Sequence, residues 1–512
     1  MFSRIRSAVC SGIEGRDIYV ETDVARGLPG IYIVGLASTT IMESRERIKS
    51  AILNSGLDYP RGRITVNLTP ASLRKNGSCL DLPIAVGILT SNMYLDAGMA
   101  GTYGIVGELA LDGRVLGVRG ILPMLIRMKE SGIMRVIIPG QNMSEAVLVD
   151  GLAIFPVESL AECVDIISGR TDPEPYYSRG IEEELPRQQS EDTEEEIGDY
   201  ADINGQENAK RAAAIAVAGR HGIILIGSPG CGKTMISSRI PTIMPPMSAS
   251  EILDTSIIYS ASRGCDPGRA LILRRPFRSP HHTIGRSGLI GGGTYPVPGE
   301  ISLAHNGVFF LDEVCEFDRE CIEALRLPIE ERQITHFRMG ESYTFPCSFQ
   351  LVMASNPCPC GYFGDSERVC KCTEAQLERY RKKLSGPIMD RIDMRVNMER
   401  VTYDELTHEE KGLSSADMKR MIDEGVSFAR ASGRSSFNAL LSEQEIEKYC
   451  SLGADEEAFM KRAYSALKMS PRSYKKTLKV ARTIADIDKS DDIRTRHLAE
   501  ALSYRITEDL GE

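Results

Sequence analysis

The feature that most constrains this chain is a glycine-rich loop that follows a short apolar strand and precedes a helical pattern. The strand candidate reads Ile-Ile-Leu-Ile at residues 223–226. The loop fits the spacing G-x-x-x-x-G-K-[ST], in which backbone N–H groups point at phosphate oxygens, a lysine reaches the β- and γ-phosphates and a hydroxyl ligates magnesium. A chance glycine turn is a poor alternative in this context. The sequence predicts a nucleotide bound by Gly227, Ser228, Pro229, Gly230, Cys231, Gly232, Lys233 and Thr234.

Two later strand candidates end in polar side chains that suit the same nucleotide. GVFFLDE ends in Asp312 and Glu313, and FQLVMASN ends in Asn356. We expect Asp312 to hold magnesium together with Thr234, Glu313 to polarise the attacking water and Asn356 to orient that water. Each strand end alone is weak support, because apolar strands often end in acidic residues and asparagine is common in turns. Their order after the glycine-rich loop makes the set informative.

Three arginines are candidates for contacts with the phosphates. Arg391 in SGPIMDRID is the candidate finger that a neighbouring subunit supplies to stabilise phosphoryl charge. A surface Asp–Arg pair is the alternative. Arg472, at the start of the helix candidate SPRSYKKTLKVARTIADI, is a candidate second sensor that swings onto the nucleotide, and Arg482 is a weaker one. The apolar face of this helix is predicted at Tyr474, Leu478, Ala481 and Ala485.

Two close cysteine pairs flank the loop GYFGDSERV directly after Asn356. Four thiolates can hold zinc tetrahedrally and thereby pin an irregular loop, although C-x-C is tighter than the common C-x₂₋₄-C spacing. Four reduced loop cysteines are the alternative. Cys231 in the glycine-rich loop is interpreted as a small space-filling residue. The candidate zinc ligands are Cys358, Cys360, Cys370 and Cys372.

A basic, glycine-rich segment, RRPFRSPHHTIGRSGLIGGGTYPVPGE, lies between the two nucleotide motifs. In a ring, such an insert would project toward the central channel and contact a nucleic-acid backbone. The hairpin-like stretch QITHFRMGESYTFP is a second projecting candidate. The same arginines would suit subunit interfaces or nucleotide contacts. The candidate DNA contacts are Arg274, Arg275, Arg278, His281, His282, Arg286, His336 and Arg338.

The length of 512 residues and an acidic stretch divide the chain into domains. Residues 172–199 contain eleven acidic residues and two arginines, so most of the net charge of −10 lies in this predicted flexible linker. The remainder is close to neutral, which leaves basic patches possible. We expect an α/β domain at 1–168, the linker at 169–198, a nucleotide-binding α/β core with a parallel sheet at 199–397 and a helical domain at 398–512.

Several motifs resemble the YifB/ComM family of magnesium-chelatase-like AAA+ ATPases. They include DINGQENAKRAAAIAVAG, GSPGCGKT, PGEISLAHNGVFFLDE, ASNPCPCG and VARTIADID, and the resemblance extends through TVNLTPASLRKNGSCLDLPIAVGIL to nearly the whole chain. It implies a Lon-protease-like α/β domain, a P-loop AAA+ core and a C-terminal helical lid domain. It also implies a homo-hexameric DNA helicase or branch-migration motor that uses ATP and Mg²⁺ in recombination during natural transformation.

The first domain resembles the Lon peptidase domain through GELALDGRVLGV and RVIIP, but it lacks the expected Ser–Lys pair. Asp81 falls about where the nucleophile would lie, and Leu122 stands where lysine is expected. Ser78 and Lys75 are close in sequence, which is common in structural loops. We therefore expect an inactive domain that serves subunit or partner contacts.

Two other functions remain open. The chain could be the ATPase subunit of a magnesium chelatase, although it contains the Lon-like domain and no metal-adhesion partner domain. It could also be an ATP-dependent peptidase or protein-remodelling factor, against which the missing dyad counts. No apolar run long enough for a membrane span and no secretory signal occur, so a cytoplasmic location, no membrane partner and reduced cysteines are expected.

Overall fold

The computed structural model places two α/β units and a helical C-terminal part in one chain. The structure describes residues 2–35, 39–73, 75, 77–178, 198–365, 367–384, 388–401 and 412–505. Within these residues no helix is both long and apolar enough to cross a membrane. The mixed first unit, the parallel second sheet and the helical end of the chain match the predicted fold class.

The first unit is built on a mixed sheet that is eight-stranded within the described residues, in the order β10-β9-β8-β5-β1-β2-β4-β3. A long antiparallel ribbon of β1 and β2 forms its centre, and a separate small ladder joins β6 and β7. The strands are β1 Phe2–Ser11, β2 Glu14–Ala25, β3 Gly30–Val34, β4 Arg63–Thr69, β5 Tyr103–Ile105, β6 Glu108–Leu109, β7 Val115–Leu116, β8 Arg135–Pro139, β9 Ala153–Val157 and β10 Tyr176–Tyr177. The helices are α1 Thr39–Asn54, α2 Asp81–Ser91, α3 Ala97–Ala100, α4 Ile121–Glu130, α5 Met143–Ala146 and α6 Leu160–Ile167.

The first unit extends beyond the expected boundary at residue 168. Tyr176 and Tyr177 pair with β9 as an antiparallel edge strand, and the buried Ser178 accepts a backbone hydrogen bond from Gly151. A two-residue strand between prolines has no periodicity to reveal it. Residues 176–178 of the predicted linker at 169–198 thus contact the first unit, and residues 179–197 lie outside the described part of the chain.

The second unit contains a parallel sheet that is five-stranded within the described residues, in the order β12-β13-β16-β11-β17. Because all strands run the same way, their carboxyl ends meet at one edge, which we call the carboxyl edge, and their starts meet at the amino edge. Strands β14 and β15 form a separate hairpin. The strands are β11 Ile223–Gly227, β12 Phe277–Arg278, β13 Val308–Leu311, β14 Gln333–Arg338, β15 Glu341–Pro346, β16 Gln350–Ser355 and β17 Met394–Met398.

Helices surround this sheet and make up the C-terminal part. The core helices are α7 Glu207–Gly219, α8 Lys233–Ile243, α9 Ala249–Ala261, α10 Arg286–Ile290, α11 Glu300–Leu303, α12 Arg319–Ala324, α13 Arg326–Glu331 and α14 Glu374–Leu384. The later helices are α15 Ser415–Ala431, α16 Glu443–Tyr449, α17 Ala454–Ala466, α18 Pro471–Ile487 and α19 Thr495–Ser503. Short 3₁₀ turns occur at Gly140–Asn142, Tyr200–Asp202, Val314–Glu316, Met389–Arg391 and Asn438–Leu440.

Helix α18 has the amphipathic pattern that the sequence predicts. Leu478, Ala481 and Ala485 are buried in the core that the second unit shares with the C-terminal helices, and Tyr474 packs against it partly buried. The helix begins at a serine cap, since the Ser470 hydroxyl accepts from the backbone N–H of residue 473, with proline in the first turn. The predicted apolar face is confirmed.

Helix α9 joins the two units. Met247 and Ile252 are buried in the hydrophobic core of the first unit, although both belong to the segment that follows the glycine-rich loop. Partly buried residues of the same segment, Leu253 and Ile257, pack against that core as well. The two units are therefore held together by apolar burial and do not meet only through the linker.

Candidate nucleotide site

The glycine-rich loop connects β11 to α8 at the carboxyl edge of the parallel sheet. Gly230 and Gly232 adopt φ of +84° and +92°, which L residues with side chains rarely adopt. A Cβ added at either position would meet no atom within 4 Å. The loop thus has a glycine-dependent conformation and open space beside it, as a cradle for a bulky anion needs. Cys231 is buried below the loop, as its space-filling interpretation requires.

The ammonium group of Lys233 is held by uncharged acceptors. Its Nζ donates to the carbonyl oxygens of Gly227 at 2.6 Å and Ser228 at 3.1 Å, and to Oδ1 of Asn356 at 3.2 Å. Carbonyl and amide acceptors are weaker partners for an ammonium group than a phosphate would be. None of these acceptors is a carboxylate, so a polyphosphate can bind the ammonium group without breaking an ion pair.

The ends of β13 and α8 meet beside the loop. Thr234 donates its hydroxyl proton to Oδ2 of Asp312 at 3.0 Å, and the backbone N–H of Glu313 donates to Oδ1 of the same carboxylate at 2.9 Å. Glu313 has φ of +48° and an exposed side chain. Hydroxyl and carboxylate oxygens are the ligands that magnesium takes, so this pair fits the ion. Lys233, Thr234, Asp312, Glu313 and Asn356 thus gather at one edge of the sheet.

Arg391 and Arg472 lie at the opposite, amino edge. The backbone N–H of Asp393 donates to the carbonyl of Gly222 just before β11, and Arg391 is two residues earlier. Arg391 pairs with Glu330, and Arg472 pairs with Asp390 at 3.0 Å. The five residues of β11 span roughly 16 Å. Arg472 therefore does not lie near the glycine-rich loop of its own chain, and its role as a second sensor stays a prediction.

A basic cavity of about 580 Å³ opens around these two arginines. Burial lowers the pKa of the lysines at 476 and 479, and burial together with Arg275 lowers the pKa of Arg220 to about 10. The cavity contains more cationic than anionic side chains, so it suits an anionic ligand. Its charged lining comprises Arg220, Arg332, Arg391, Arg472, Lys475, Lys476, Lys479, Asp390, Asp393 and Glu443.

Arg482 has a structural role that excludes it as a sensor. Its side chain is buried, pairs with Asp486 at 3.0 Å and donates to the carbonyl oxygens of residues 490 and 491. These contacts hold the chain that turns back after α18. The weaker sensor candidate is thereby corrected, because a nearly covered guanidinium committed to several acceptors has no group left for a phosphate.

The basic insert divides into tethered and exposed side chains. Arg275 is nearly covered, pairs with Glu251 at 3.1 Å and donates to backbone carbonyl oxygens, and Arg278 forms a bidentate pair with Glu300 at 2.7 Å for both bonds. Both side chains, which were candidates for DNA contacts, thus form their hydrogen bonds and ion pairs within the chain. His282 is half-buried and its ring lies 4.1 Å from that of its neighbour, between centroids. The exposed candidates are Arg274, His281 and Arg286.

The predicted hairpin is present as β14 and β15, with Met339 and Gly340 at its tip. Phe337, Arg338 and Met339 are exposed, so the tip offers one cation between two large apolar side chains. His336 is half-buried, and its Nε2 lies 3.0 Å from the carbonyl oxygen of Ile290. The hairpin also leans on the first unit: a Cβ added at Gly12 would lie 3.1 Å from the ring of Tyr343.

The four cysteines are close enough to share one ion. Their Sγ atoms lie within 4.8 Å of one another, with 3.3 Å from Cys358 to Cys360 and 3.7 Å from Cys358 to Cys370. Tetrahedral zinc thiolates at ~2.3 Å from the ion imply sulfur separations of about 3.8 Å. Burial raises the pKa of Cys360, but hydrogen bonds from the backbone N–H groups of residues 371 and 362 and from the thiols of Cys358 and Cys372 outweigh it and bring the pKa to about 6. Burial raises the pKa of Cys358 to about 12. The cluster, completed by Cys372, fits a zinc site.

Ser78 and Lys75 have separate partners in the first unit. The Ser78 hydroxyl donates to Glu108, and the Lys75 ammonium donates to the carbonyl of Pro70. Lys75 is fully buried, and burial lowers its pKa. A Ser–Lys dyad needs the amine to accept the proton of the hydroxyl itself, so these contacts do not form one.

The remaining peptidase positions are occupied by structural side chains. Asp81 is buried, pairs with Arg47 at 3.0 Å, and burial raises its pKa to about 6. Leu122 is fully buried, and its backbone N–H points to the Ser260 hydroxyl of the second unit at 3.4 Å. The place where a catalytic lysine is expected therefore lies against helix α9.

Sequence reasoning missed Asp365, which lies between the cysteine pairs and close to the nucleotide site. Its side chain is 1% exposed, and the neighbouring hydroxyl of Ser228 is the main reason that its pKa falls to about 2. The only sequence signal is an acidic residue in a loop that returns after Asn356. The loop that contains Asp365 starts after Asn356 at the end of β16, and β16 lies next to β11, which leads into the glycine-rich loop.

Comparison with known proteins agrees with this arrangement. Residues 199–406 match the family model for magnesium chelatase, subunit ChlI, residues 20–142 match that for subunit ChlI of Mg-chelatase, and residues 412–505 match that for the C-terminal part of the subunit.

Three relatives show how far the similarity extends along the chain. The uncharacterized protein YifB of Salmonella typhimurium is 38% identical over 502 residues, 98% of this chain and 96% of its own length. The competence protein ComM of Haemophilus influenzae is 37% identical over 502 residues, 98% of this chain and 97% of its own. A Lon protease of Mycolicibacterium smegmatis is 24% identical over 171 residues, 32% of this chain and 22% of its own. The chain therefore belongs to the YifB/ComM family of magnesium-chelatase-like AAA+ ATPases.

Proposed function

We propose that this chain assembles into a homo-hexameric ring that hydrolyses ATP between neighbouring subunits and uses the energy to move DNA. The observation that carries the proposal is the separation of the phosphate-binding groups from Arg391 and Arg472, which lie at opposite edges of one sheet. A site divided in this way is complete only when the amino edge of one subunit faces the carboxyl edge of the next.

Within one subunit, the carboxyl edge would bind the nucleotide. The N–H groups of the glycine-rich loop and the Lys233 ammonium would contact the phosphates, and Thr234 and Asp312 would hold magnesium. Bound magnesium would neutralise charge on the phosphate oxygens. Glu313 would accept the proton of the attacking water, and Asn356, which now accepts from Lys233, would orient that water.

The neighbouring subunit would supply the basic cavity. Arg391 would exchange its contact with Glu330 for the transferred phosphoryl group, and Arg472 would act beside it as the second sensor. Cations fixed in a cavity before the reaction stabilise the charge that develops in the transition state at little reorganisation cost.

A mixing experiment tests this shared site. Glu313→Gln and Arg391→Ala should each reduce the ATPase rate of the purified ring, the latter by roughly 10³-fold. A mixture of the two variants should regain a measurable fraction of the wild-type rate, because some interfaces combine an intact Glu313 with an intact Arg391. An equally inactive mixture, with hybrid rings verified by differential tags, would contradict hydrolysis between subunits.

DNA is the substrate that the exposed cations favour. The hairpin tip presents Arg338 between Phe337 and Met339, and Arg274 and Arg286 are exposed on the insert. Cations suit phosphates and apolar tip residues suit stacking on unpaired bases. One relative is named a competence protein, which supports a role in natural transformation. The proposed activity in that role is that of a helicase or branch-migration motor in recombination.

Stimulation of ATP hydrolysis by DNA tests the substrate. Forked or single-stranded DNA should raise the ATPase rate of the wild type, and Lys233→Ala should abolish it. Arg338→Ala should weaken the stimulation without lowering the basal rate, whereas Arg319→Ala, which removes an exposed surface pair with Glu323, should leave both unchanged. Stimulation by unfolded protein alone would contradict a DNA motor and favour a remodelling factor.

A magnesium chelatase subunit is the second candidate, because all three matching family models carry that description. The part of the chain that is similar to Lon proteases counts against it. Genes for tetrapyrrole synthesis beside the gene for this chain, or ATP-dependent insertion of magnesium into a porphyrin on addition of the partner subunits, would favour it.

We also propose structural zinc at Cys358, Cys360, Cys370 and Cys372, supported by their sulfur separations. The ion would fix the loop between the two cysteine pairs. Protein purified without chelator should contain about one zinc per chain by atomic emission, and Cys370→Ser with Cys372→Ser should contain none. Equal zinc content in both proteins would contradict the site.

A further inference from the structure

The segment from Cys358 to Cys372, here called the cysteine loop, lies directly on the glycine-rich loop. Gly361 approaches Pro229 so closely that an added Cβ would lie 2.7 Å from its ring. With φ of +84° at Gly361, the position requires glycine for its conformation as well as for its space. The two loops therefore pack backbone to ring, with no side chain between them at this point.

Asp365 makes the polar part of the same contact. The Ser228 hydroxyl of the glycine-rich loop is the main cause that lowers the pKa of the Asp365 carboxyl group. Its Oδ1 accepts from the backbone N–H groups of residues 367 and 368 at 3.0 and 2.9 Å, which fixes the carboxylate within its own turn. A short side chain bound twice to its own backbone is held rigidly, so its position follows that of the cysteine loop.

Arg400 holds Asp365 from the other side. The guanidinium lies 3.1 Å from Oδ2 of Asp365 and 2.8 Å from Glu367, and Arg400 follows β17, the strand next to β11. The Asp365 carboxylate is nearly covered, whereas the Glu367 carboxylate is 71% exposed. Asp365 thus lies between the glycine-rich loop and the sheet that carries it.

The cysteine cluster closes the loop that presents Asp365. Cys358 is fully buried two residues after Asn356, which binds Lys233, and Cys370 returns to within 3.7 Å of it. Residues between these anchors contain glycines at 361 and 364 in positive φ and no helix or strand among those described. Among the described residues of this segment the backbone hydrogen bonds are local, from Gly361 to the carbonyl of Cys358 and from Asp365 to the carbonyl of Tyr362. A link between the ends of the segment would therefore restrain Asp365 further.

We propose that Asp365 is a positioning residue for the glycine-rich loop, and that a metal ion bound by the four cysteines keeps Asp365 against Ser228 so that the loop is formed before the nucleotide arrives. The proposal rests on the proposed nucleotide site and on the proposed zinc site. The four cysteines would then have a role besides fixing their own loop, because the affinity for the nucleotide would depend on whether they hold a metal ion.

The first test leaves the metal in place. Full-length Asp365→Asn keeps the size of the side chain but removes the charge that pairs with Arg400, so the affinity for a fluorescent ATP analogue with magnesium should fall about 10-fold. Glu367→Gln makes the same chemical change in an exposed partner of the same arginine and should alter the affinity less than twofold. Zinc content should equal that of the wild type in both variants.

The second test removes the metal. Wild-type protein stripped of zinc by a chelator should bind the analogue about 10-fold more weakly and recover on addition of zinc(II). The Asp365→Asn variant should lose little further affinity on stripping, because the metal acts through this side chain. Unchanged far-ultraviolet circular dichroism would show that the stripped chain remains folded, and the first test does not depend on stripping.

Different outcomes separate this inference from the nucleotide site itself. If the wild type binds the analogue, Lys233→Ala does not, and Asp365→Asn binds like the wild type, the positioning role is overturned and the nucleotide site stands. Independent, additive losses from Asp365→Asn and from stripping would overturn the link between the metal and Asp365. A wild type that binds no nucleotide would overturn both proposals.

Discussion

A single imidazole ties the start of β13 to the start of β16, the two strands that end in Asp312 and Asn356. Nδ1 of His305 accepts from the backbone N–H of Ser348 at 3.0 Å, so the ring must be neutral at that nitrogen. Burial, followed by the charge of Arg220, lowers the pKa of His305 from its ordinary value of 6.5 to about 4. The folded chain therefore disfavours the protonated ring.

The pH dependence of stability follows from this shift. The contribution of His305 is fully present above pH 6.5 and is lost as the pH falls toward 4, because the unfolded chain binds the proton first. The full effect amounts to about 3 kcal/mol. We expect the unfolding midpoint in urea to fall more steeply between pH 7 and pH 5 for the wild type than for His305→Gln. Parallel pH profiles for the two proteins would contradict the assignment.

Individual residues could be predicted from the sequence where they belong to a short motif of known function. The loop lysine, its threonine and the residues at the strand ends meet in space because a parallel sheet brings its strand ends to one edge. Asp365, Arg275 and Arg278 could not be assigned, because their partners are remote in sequence and a charged side chain alone does not reveal whether it is tethered or exposed.

Among the elements, α18 combines an apolar face with a buried charge network. Asp486 lies between Arg434 and Arg482, accepts from Arg434 at 2.5 Å and also accepts from Asn438 at 2.7 Å. All three charged side chains are 3% exposed. One carboxylate thus faces two buried guanidinium groups and holds α18 to the turn that follows α15.

Removal of this carboxylate should be costly. Asp486→Asn leaves two buried cations without a charged partner, and we expect a loss of about 3 to 5 kcal/mol in the unfolding free energy. Asp492→Asn removes an exposed pair with Arg494 and should cost less than about 1 kcal/mol. Thermal unfolding followed by circular dichroism compares the two variants. Equal midpoints for both would contradict a stabilising role for the network.

Elements with a strong period were predictable, and those defined by remote partners were not. The face of α18 follows from its 3.6-residue repeat, and the hairpin of β14 and β15 follows from two strand patterns around Met-Gly. Strand β10 is two residues long and exists through its pairing with β9. The amphipathic pattern of helix α9 predicts an apolar face but does not indicate which of the two units that face packs against.

Over the whole molecule, the two units are joined by a polar lock beside the apolar contact of α9. The Glu145 carboxylate of the first unit is buried, accepts from the Ser260 hydroxyl at 2.6 Å and from the backbone N–H of Gly268 at 2.8 Å. Ser144 next to it donates to the carbonyl of Gly268 at 2.7 Å. Glu145 therefore links the first unit to both ends of the turn that follows α9.

We expect Glu145→Ala to loosen this joint, because it leaves a buried hydroxyl and a buried N–H without their acceptor, at roughly 1 to 3 kcal/mol for each group. Amide hydrogen exchange should rise at residues 120–125 and 260–268 and remain unchanged in β11 and β16. Glu130→Ala, which removes an exposed partner of Arg127, is the control. Unaltered exchange at both segments would contradict the lock.

The sequence indicated the order of the domains but not their mutual burial. The acidic linker and the start of a new helix–strand pattern near residue 199 suggest two domains that fold independently of each other. Whether two domains bury residues against each other depends on how their surfaces fit together, and neither the periodicity nor the composition of a sequence predicts that fit.

That shared core has a practical consequence for anyone who wishes to study the ATPase in isolation. A truncated protein that begins near Asp199 would leave Met247 and Ile252 bare, together with the partners of Glu145, and its apolar flank would invite aggregation. Low solubility of such a fragment would reflect apolar residues that the first unit covers in the full chain, and co-expression of residues 1–178 as a separate chain should restore its solubility.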